Sequence, residues 1–170
     1  MVELIVVMVL VGILGAIGAA RFFDRTGFDA AAYAEQGAAM LRYAQKLAIA
    51  QNRPVFVQAS AQGLSLCYTG AVPCGDADRV PAPSGSNSGN SATRAFCAAG
   101  GAYVPAWDCE AVPTGTSMVL DPAAGGVFRF DGQGRLFLGA GAASTGLTLT
   151  ISADGVTRTI SVAPETGYVS

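Results

Sequence analysis

Residues 1–23 constrain this chain more than any other stretch. From Leu4 to Ala20 no side chain is charged or strongly polar, and the apolar segment counted from Met1 is about 20 residues long. As a helix it would measure ~30 Å, enough to cross the hydrocarbon core of a bilayer. Glu3 stands alone at the head of this run. A carboxylate in that setting costs on the order of 2–3 kcal/mol even on permissive insertion scales, so a partner is expected for it. An apolar helix with one acid near its start, followed by a polar domain, reads as a subunit held in a membrane before it assembles.

The remaining length, within 170 residues in all, allows one globular domain with a real core. Only 13% of residues are charged, against a usual ~25%. With a net charge of -2 and ten Lys and Arg scattered along the chain, there is no clustered basic footprint, which argues against nucleic acid as a partner. The chain has no His, which excludes His triads and His metal sites. No cofactor and no metal site is expected.

Four cysteines, Cys67, Cys74, Cys97 and Cys109, all lie beyond the apolar segment, and none forms a CxxC pair. Two disulfides fit this loop-rich stretch better than a zinc site, and they imply an oxidising compartment. Of the three pairings, Cys67–Cys74 with Cys97–Cys109 is favoured because each bond closes a short local loop; the alternative is four buried thiols. The flanking charges conflict with this compartment. Arg21 and Arg25 follow the apolar run and nothing basic precedes it, so the positive-inside rule would leave the domain in the cytoplasm. A basic leader upstream of Met1, missing from this sequence, would restore the orientation.

The run Val2-Glu3-Leu4-Ile5-Val6-Val7-Met8-Val9-Leu10-Val11-Gly12-Ile13-Leu14-Gly15-Ala16-Ile17 resembles the N-terminal segment of type IV pilins and pseudopilins. In that family a prepilin peptidase cuts after a short basic leader ending in Gly, and the new N-terminal residue, usually Phe, is methylated. The family glutamate matches Glu3, so the cleavage Gly and the methylated Phe would lie upstream of Met1. The resemblance implies that Glu3 neutralises the N-terminal ammonium of a neighbouring subunit in a filament core, compensating the burial of both. An acid favoured by the helix N-terminus is the plainer alternative. Leu4, Val7, Leu10, Val11 and Leu14 would pack in that core. Many family members carry a helix-bending Pro where this chain has Ala20. Gly12, Gly15 and Gly18 still weaken the helix by about 1 kcal/mol each relative to Ala, which leaves room for local unwinding.

Beyond Arg21 the helical period continues with a different character. Tyr33, Gly37, Met40, Leu41, Ala44, Leu47 and Ala48 recur at steps of three and four and form one apolar face. A helix is predicted over about 2–52, with a bend or brief break at Asp24-Arg25-Thr26-Gly27 and a stop at Asn52-Arg53-Pro54. Three segments follow: a transmembrane or filament-core helix over 1–23, an amphipathic helix over 24–53, and a periplasmic or extracellular β-domain over 54–170.

In that domain Val55–Gln58 and Leu64–Tyr68 read as a first hairpin, Val127–Phe130 and Arg135–Leu138 as a second around Asp131-Gly132-Gln133-Gly134, and Leu147–Ser152 with Val156–Val162 as a third around Asp154-Gly155. Gly167-Tyr168-Val169 closes the chain as a short strand or tail. Residues 69–116 read as an irregular, disulfide-tethered loop whose Pro81–Ala92 stretch, rich in Ser, Gly and Asn, is expected to be mobile. The fold class is therefore α+β, a long N-terminal helix packed on an antiparallel sheet of hairpins. The helix end Leu41–Val55 and the C-terminal Phe128–Gly134, Thr159–Val162 and Thr166–Val169 stretches resemble the GspH/FimT subgroup of minor pilins and secretion pseudopilins.

The reading that follows is a structural subunit of a type IV pilus, the mannose-sensitive haemagglutinin type included, or of a type II secretion filament. Its partners would be other pilin or pseudopilin subunits, the inner membrane before assembly, and prepilin peptidase for the precursor. The alternative is a tip pilin that binds DNA or a surface. DNA-binding members of the subgroup use a C-terminal Gly-Arg-x-Arg stretch, whereas the matching Gly167-Tyr168-Val169-Ser170 has neither Arg. Arg129, Arg135 and Arg158 could share a sheet face instead, but surface solubility is the favoured reason for them. No catalysis is expected. Asp76-Ala77-Asp78 and the Asp131 turn lack a spaced ligand series, and no base is identifiable to activate the many Ser and Thr.

Overall fold

The computed structural model describes residues 2–22, 26–98, 101–139 and 141–170, with the backbone alone described for 16–22, 124, 142 and 143. Two helices open the chain, α1 (Val2–Phe22) and α2 (Thr26–Gln51). The expected break falls between them, on residues 23–25, which lie outside the described ones. Helix α2 ends as its sequence dictates. Asn52 takes a left-handed φ of 48°, and the Arg53 N–H reaches the Ala48 carbonyl while that of Asn52 reaches Ile49, each at 3.2 Å. This closes the last turn as a Schellman motif, after which Pro54 forbids another.

Nine strands follow among the described residues: β1 (Val55–Ser60), β2 (Gly63–Cys67), β3 (Cys109–Ala111), β4 (Ser117–Asp121), β5 (Val127–Phe130), β6 (Leu136–Leu138), β7 (Ala142–Ala143), β8 (Leu147–Ala153) and β9 (Val156–Val162). They form two antiparallel sheets, in the orders β3-β2-β1-β5-β6-β7 and β4-β8-β9. The single sheet expected from the hairpins is thus split. Each hairpin sits where the period-two pattern and its turn put it. In the tightest, Asp154 and Gly155 both adopt positive φ, 46° and 77°, as a two-residue turn between right-twisted strands requires. The C-terminal tail bonds back to β9 through reciprocal Ser161 and Ser170 backbone pairs.

Helix α2 packs across both sheets, against β8 and β9 of one and β1 and β5 of the other. Its buried face is built from Ala30, Tyr33, Ala34, Gly37, Ala38, Met40, Leu41, Ala44 and Ala48. The small residues let the helix axis approach the strands closely. Beneath it lie Val55, Val57, Leu64, Leu66, Phe128, Phe130, Leu149, Ile151 and Ile160. These are alternate residues along their strands, so each sheet turns one apolar face to α2.

The opposite face of the larger sheet carries a second, smaller core: Cys67, Cys74, Cys97, Trp107 and Cys109, flanked by Phe56, Phe96, Tyr103 and Val104. Disulfides join Cys67 to Cys74 and Cys97 to Cys109, with Cα separations of 6.1 and 6.0 Å. Between them lies α3 (Ser91–Cys97), started by Asn90, whose side chain accepts from the Thr93 N–H at 2.8 Å. Strand β2 is buried along its whole length because it carries both cores.

The 69–116 region is correspondingly more ordered than its composition suggests. It contributes α3 and β3, and Pro81–Ala92 is pinned rather than mobile. Ala82 and Asn87 donate backbone bonds to Ala106 and Pro105 at 2.8 Å. The Tyr43 hydroxyl donates to the Pro81 carbonyl at 3.1 Å. Apolar content could not announce this, because the anchors are polar groups supplied by distant residues.

Candidate assembly helix

Helix α1 starts with Glu3 in its first turn and runs 21 residues without interruption through Gly12, Gly15 and Gly18. Every side chain described on it is exposed. The residues expected to pack in a filament, Leu4, Val7, Leu10, Val11 and Leu14, stand 54–69% exposed. So do Ile5, Val6, Met8, Val9 and Ile13, at 50–69%. Among the described side chains, Val2–Gly15, no face of the helix is singled out and none is buried against the domain. A helix that is apolar all round is stable only when surrounded by apolar matter. Covering one such side chain is worth roughly 1.5–3 kcal/mol. A Cβ added at Gly12 or Gly15 would meet nothing within 4 Å, so neither glycine is required by packing within the chain.

Among the described residues no helix is long and apolar enough to cross a membrane. The side chains of 16–22, which belong to the span expected over 1–23, lie outside the described ones, Gly18 among them.

The other candidate residues are scattered. Arg129 lies on β5 of the larger sheet, with its guanidinium over the rings of Phe137 and Phe56 at 4.9 and 5.9 Å. Arg158 lies on β9 of the smaller sheet, so the three arginines do not share a sheet face. Arg135 is paired to Asp131 at 2.8 Å. Asp131 is a turn acid: burial alone would raise its pKa, but hydrogen bonds from Arg135 and Gln133 outweigh burial and hold it below the usual carboxylate range. Asp76 pairs with Arg79 at 2.9 Å. Among the described residues no group of three or more His, Cys, Asp or Glu could hold a metal ion.

Sequence reasoning passed over Glu110 and Asp108. Both are buried, and both face α2, since Glu110 is paired across to Leu64 of the α2-facing set. Glu110 accepts from the Ser88 N–H at 2.5 Å, the Ser88 hydroxyl at 2.6 Å and the Thr93 hydroxyl at 2.9 Å. This carboxylate is the pin that holds the Ser88–Thr93 segment on the domain. The alternation Asp108-Cys109-Glu110, with acids at every second position, was the available signal.

No protein-family model matches the chain, and no curated protein matches it. Among solved structures, the minor pseudopilin EpsH from the type 2 secretion system of Vibrio cholerae aligns with a TM-score of 0.51 at 12% identity, over 84% of this chain and 94% of that one. The type IV minor pilin FimU of Pseudomonas aeruginosa aligns with a TM-score of 0.49 at 20% identity, over 81% and 87%. The chain has the α+β fold of the pseudopilin, with α2 packed on antiparallel sheets.

Proposed function

We propose that this chain is a member of the type IV pilin and pseudopilin family, a minor subunit of a type IV pilus or type II secretion filament that assembles through α1. The observation that carries the reading is the division of apolar surface. The domain completes its own core on α2, while the described part of α1, Val2–Gly15, presents apolar side chains on every side and buries none of them within the subunit. Lipid before assembly and the equivalent helices of neighbouring subunits afterwards supply the apolar surroundings it needs. Two disulfides fit a domain on the periplasmic side of the inner membrane. Processing of a precursor by prepilin peptidase belongs to the same proposal.

Glu3 then selects register, since a buried carboxylate is tolerated beside an ammonium and penalised without one. The test is incorporation. Glu3→Gln and Glu3→Ala should leave the disulfide-bonded domain folded while sharply lowering the fraction of subunits recovered in sheared filaments. Unchanged incorporation of both variants would remove this role for Glu3. Incorporation that also survives charged substitutions elsewhere on the same helix, Val6→Asp and Leu10→Asp, would sink the assembly reading itself.

A further inference from the structure

The cavity between α2 and the 82–88 segment has an unexplained acid at its wall. It has a volume of about 330 Å³ and is lined by Gln36, Ala39 and Met40 of the helix, by Ala82 and Pro83 among others of the segment, and by Asp108 and Glu110. Glu110 is satisfied by its three donors. Asp108 is not: the residue is 5% exposed, and its Oδ2 is buried with no hydrogen-bond partner. A buried carboxylate oxygen left without a donor is costly, and Asp108 also lines the cavity.

No lining residue carries a positive charge. The nearby cations are engaged elsewhere. Arg79 is held by Asp76 and lies over Trp107, its Nε buried without a partner, and Arg94 donates to the Gly89 carbonyl and lies toward Tyr103. The chain therefore leaves a pair of acids facing one cavity with no counter-charge of its own. Ala39, Met40, Ala82 and Pro83 give the cavity an apolar side, and Gln36, Ser84, Ser86, Asn87 and Ser88 a neutral polar one. A calcium ion would need six to eight oxygens, but the oxygens of Glu110 are already committed to Ser88 and Thr93.

We propose that this cavity binds a primary alkylammonium group on an apolar stem, with the charged head on Asp108 beside Glu110 and the stem against Met40 and Pro83. The group is a donor only, carries one positive charge, and needs no further oxygens. The same chemistry is offered by a lysine side chain of another protein and by a free polyamine. Burial, and the neighbouring Glu110 charge, raise the Asp108 pKa to about 7, the state of an acid that lacks its cation. The proposal is independent of how α1 assembles.

The test is a titration of the full chain, labelled with ¹⁵N and held in detergent micelles, followed by amide NMR. The probes are n-butylammonium, Nα-acetyl-lysine methylamide, its norleucine counterpart and putrescine. The ammonium probes should shift the amides of Ser84, Ser86, Asn87, Ser88 and Glu110 saturably, and the norleucine compound should not. Asp108→Asn should weaken binding at least tenfold. Gln36→Lys, a change at an exposed helix position, places an ammonium at the rim and should abolish it, which keeps the test open if the Asn variant misfolds. Tighter binding of the lysine amide than of putrescine assigns the site to a protein side chain; the reverse order assigns it to a free amine. Absence of saturable shifts, equal shifts in Asp108→Asn, or the same pattern produced by calcium alone would overturn the proposal.

Discussion

Gly37 on α2 lies against Leu64 on β2 so closely that a Cβ at position 37 would stand 3.3 Å from the Leu64 Cδ1, and equally far from Ile160 Cδ1. One helix position thus touches both sheets, since Leu64 belongs to the larger and Ile160 to the smaller. A larger side chain there would lift the helix from both at once. Gly37→Leu should cost about 1–3 kcal/mol through overpacking, read as a lower denaturant midpoint with the disulfides intact. A midpoint equal to or above that of the parent chain would show that the helix tolerates displacement.

Asp108 makes the stability of the domain depend on pH in an unusual direction. Burial first, and the Glu110 charge second, raise its pKa from 3.8 to about 7. The other titratable groups near it are Glu110 on β3 and Tyr43 on α2, whose own pKa is raised by burial and then by Asp108. Between these two values the folded chain binds more protons at Asp108 than the unfolded chain does. Its contribution to stability is therefore full below about pH 4 and lost as pH rises to about 7, at up to about 1.4 kcal/mol per pH unit. Asp108→Asn should flatten that slope in urea unfolding measured from pH 4 to 8. An unchanged slope would place the proton elsewhere.

The Cys97–Cys109 bond ties α3 to β3 across a separation of 12 residues. Replacing both cysteines by Ser should cost about 2–4 kcal/mol. The only tryptophan of the chain, Trp107, lies in the same core and donates its indole N–H to the Leu66 carbonyl at 2.8 Å. Its fluorescence should shift to the red in the double variant if the small core opens, and stay fixed if that core is held by packing alone.

Asn90 starts α3 through its bond to the Thr93 N–H. In a helix of seven residues the cap is a large part of the local stability. Asn90→Ala should lose about 1 kcal/mol and speed amide exchange over Thr93–Phe96, leaving α2 unaffected. Exchange that rises equally in both helices would mean that α3 opens only with the whole domain.

Much of this protein is written locally. The apolar run with Glu3 at its head, the stop at Asn52 and Pro54, the three-and-four period of α2 and the hairpin at Asp154-Gly155 all depend on short-range rules of periodicity, capping and turn geometry. The short loops closed by Cys67–Cys74 and Cys97–Cys109 also favour local pairing. Other features depend on contacts between distant residues. The hairpin pattern cannot say that β4 joins β8 and splits the strands into two sheets, because that pairing joins residues far apart in sequence. Nor can composition say that a Ser-, Gly- and Asn-rich stretch is pinned, when its anchors are the Glu110 carboxylate and the backbone of Pro105 and Ala106. The same limit hid Asp108, an ordinary acid until α2 and the 82–88 segment close over it. For α1, by contrast, seventeen consecutive residues from Leu4 to Ala20 without a charge already demand apolar surroundings. What the tertiary structure decides is that, for the described side chains of Val2–Gly15, the domain does not provide them, because α2 already packs across both sheets.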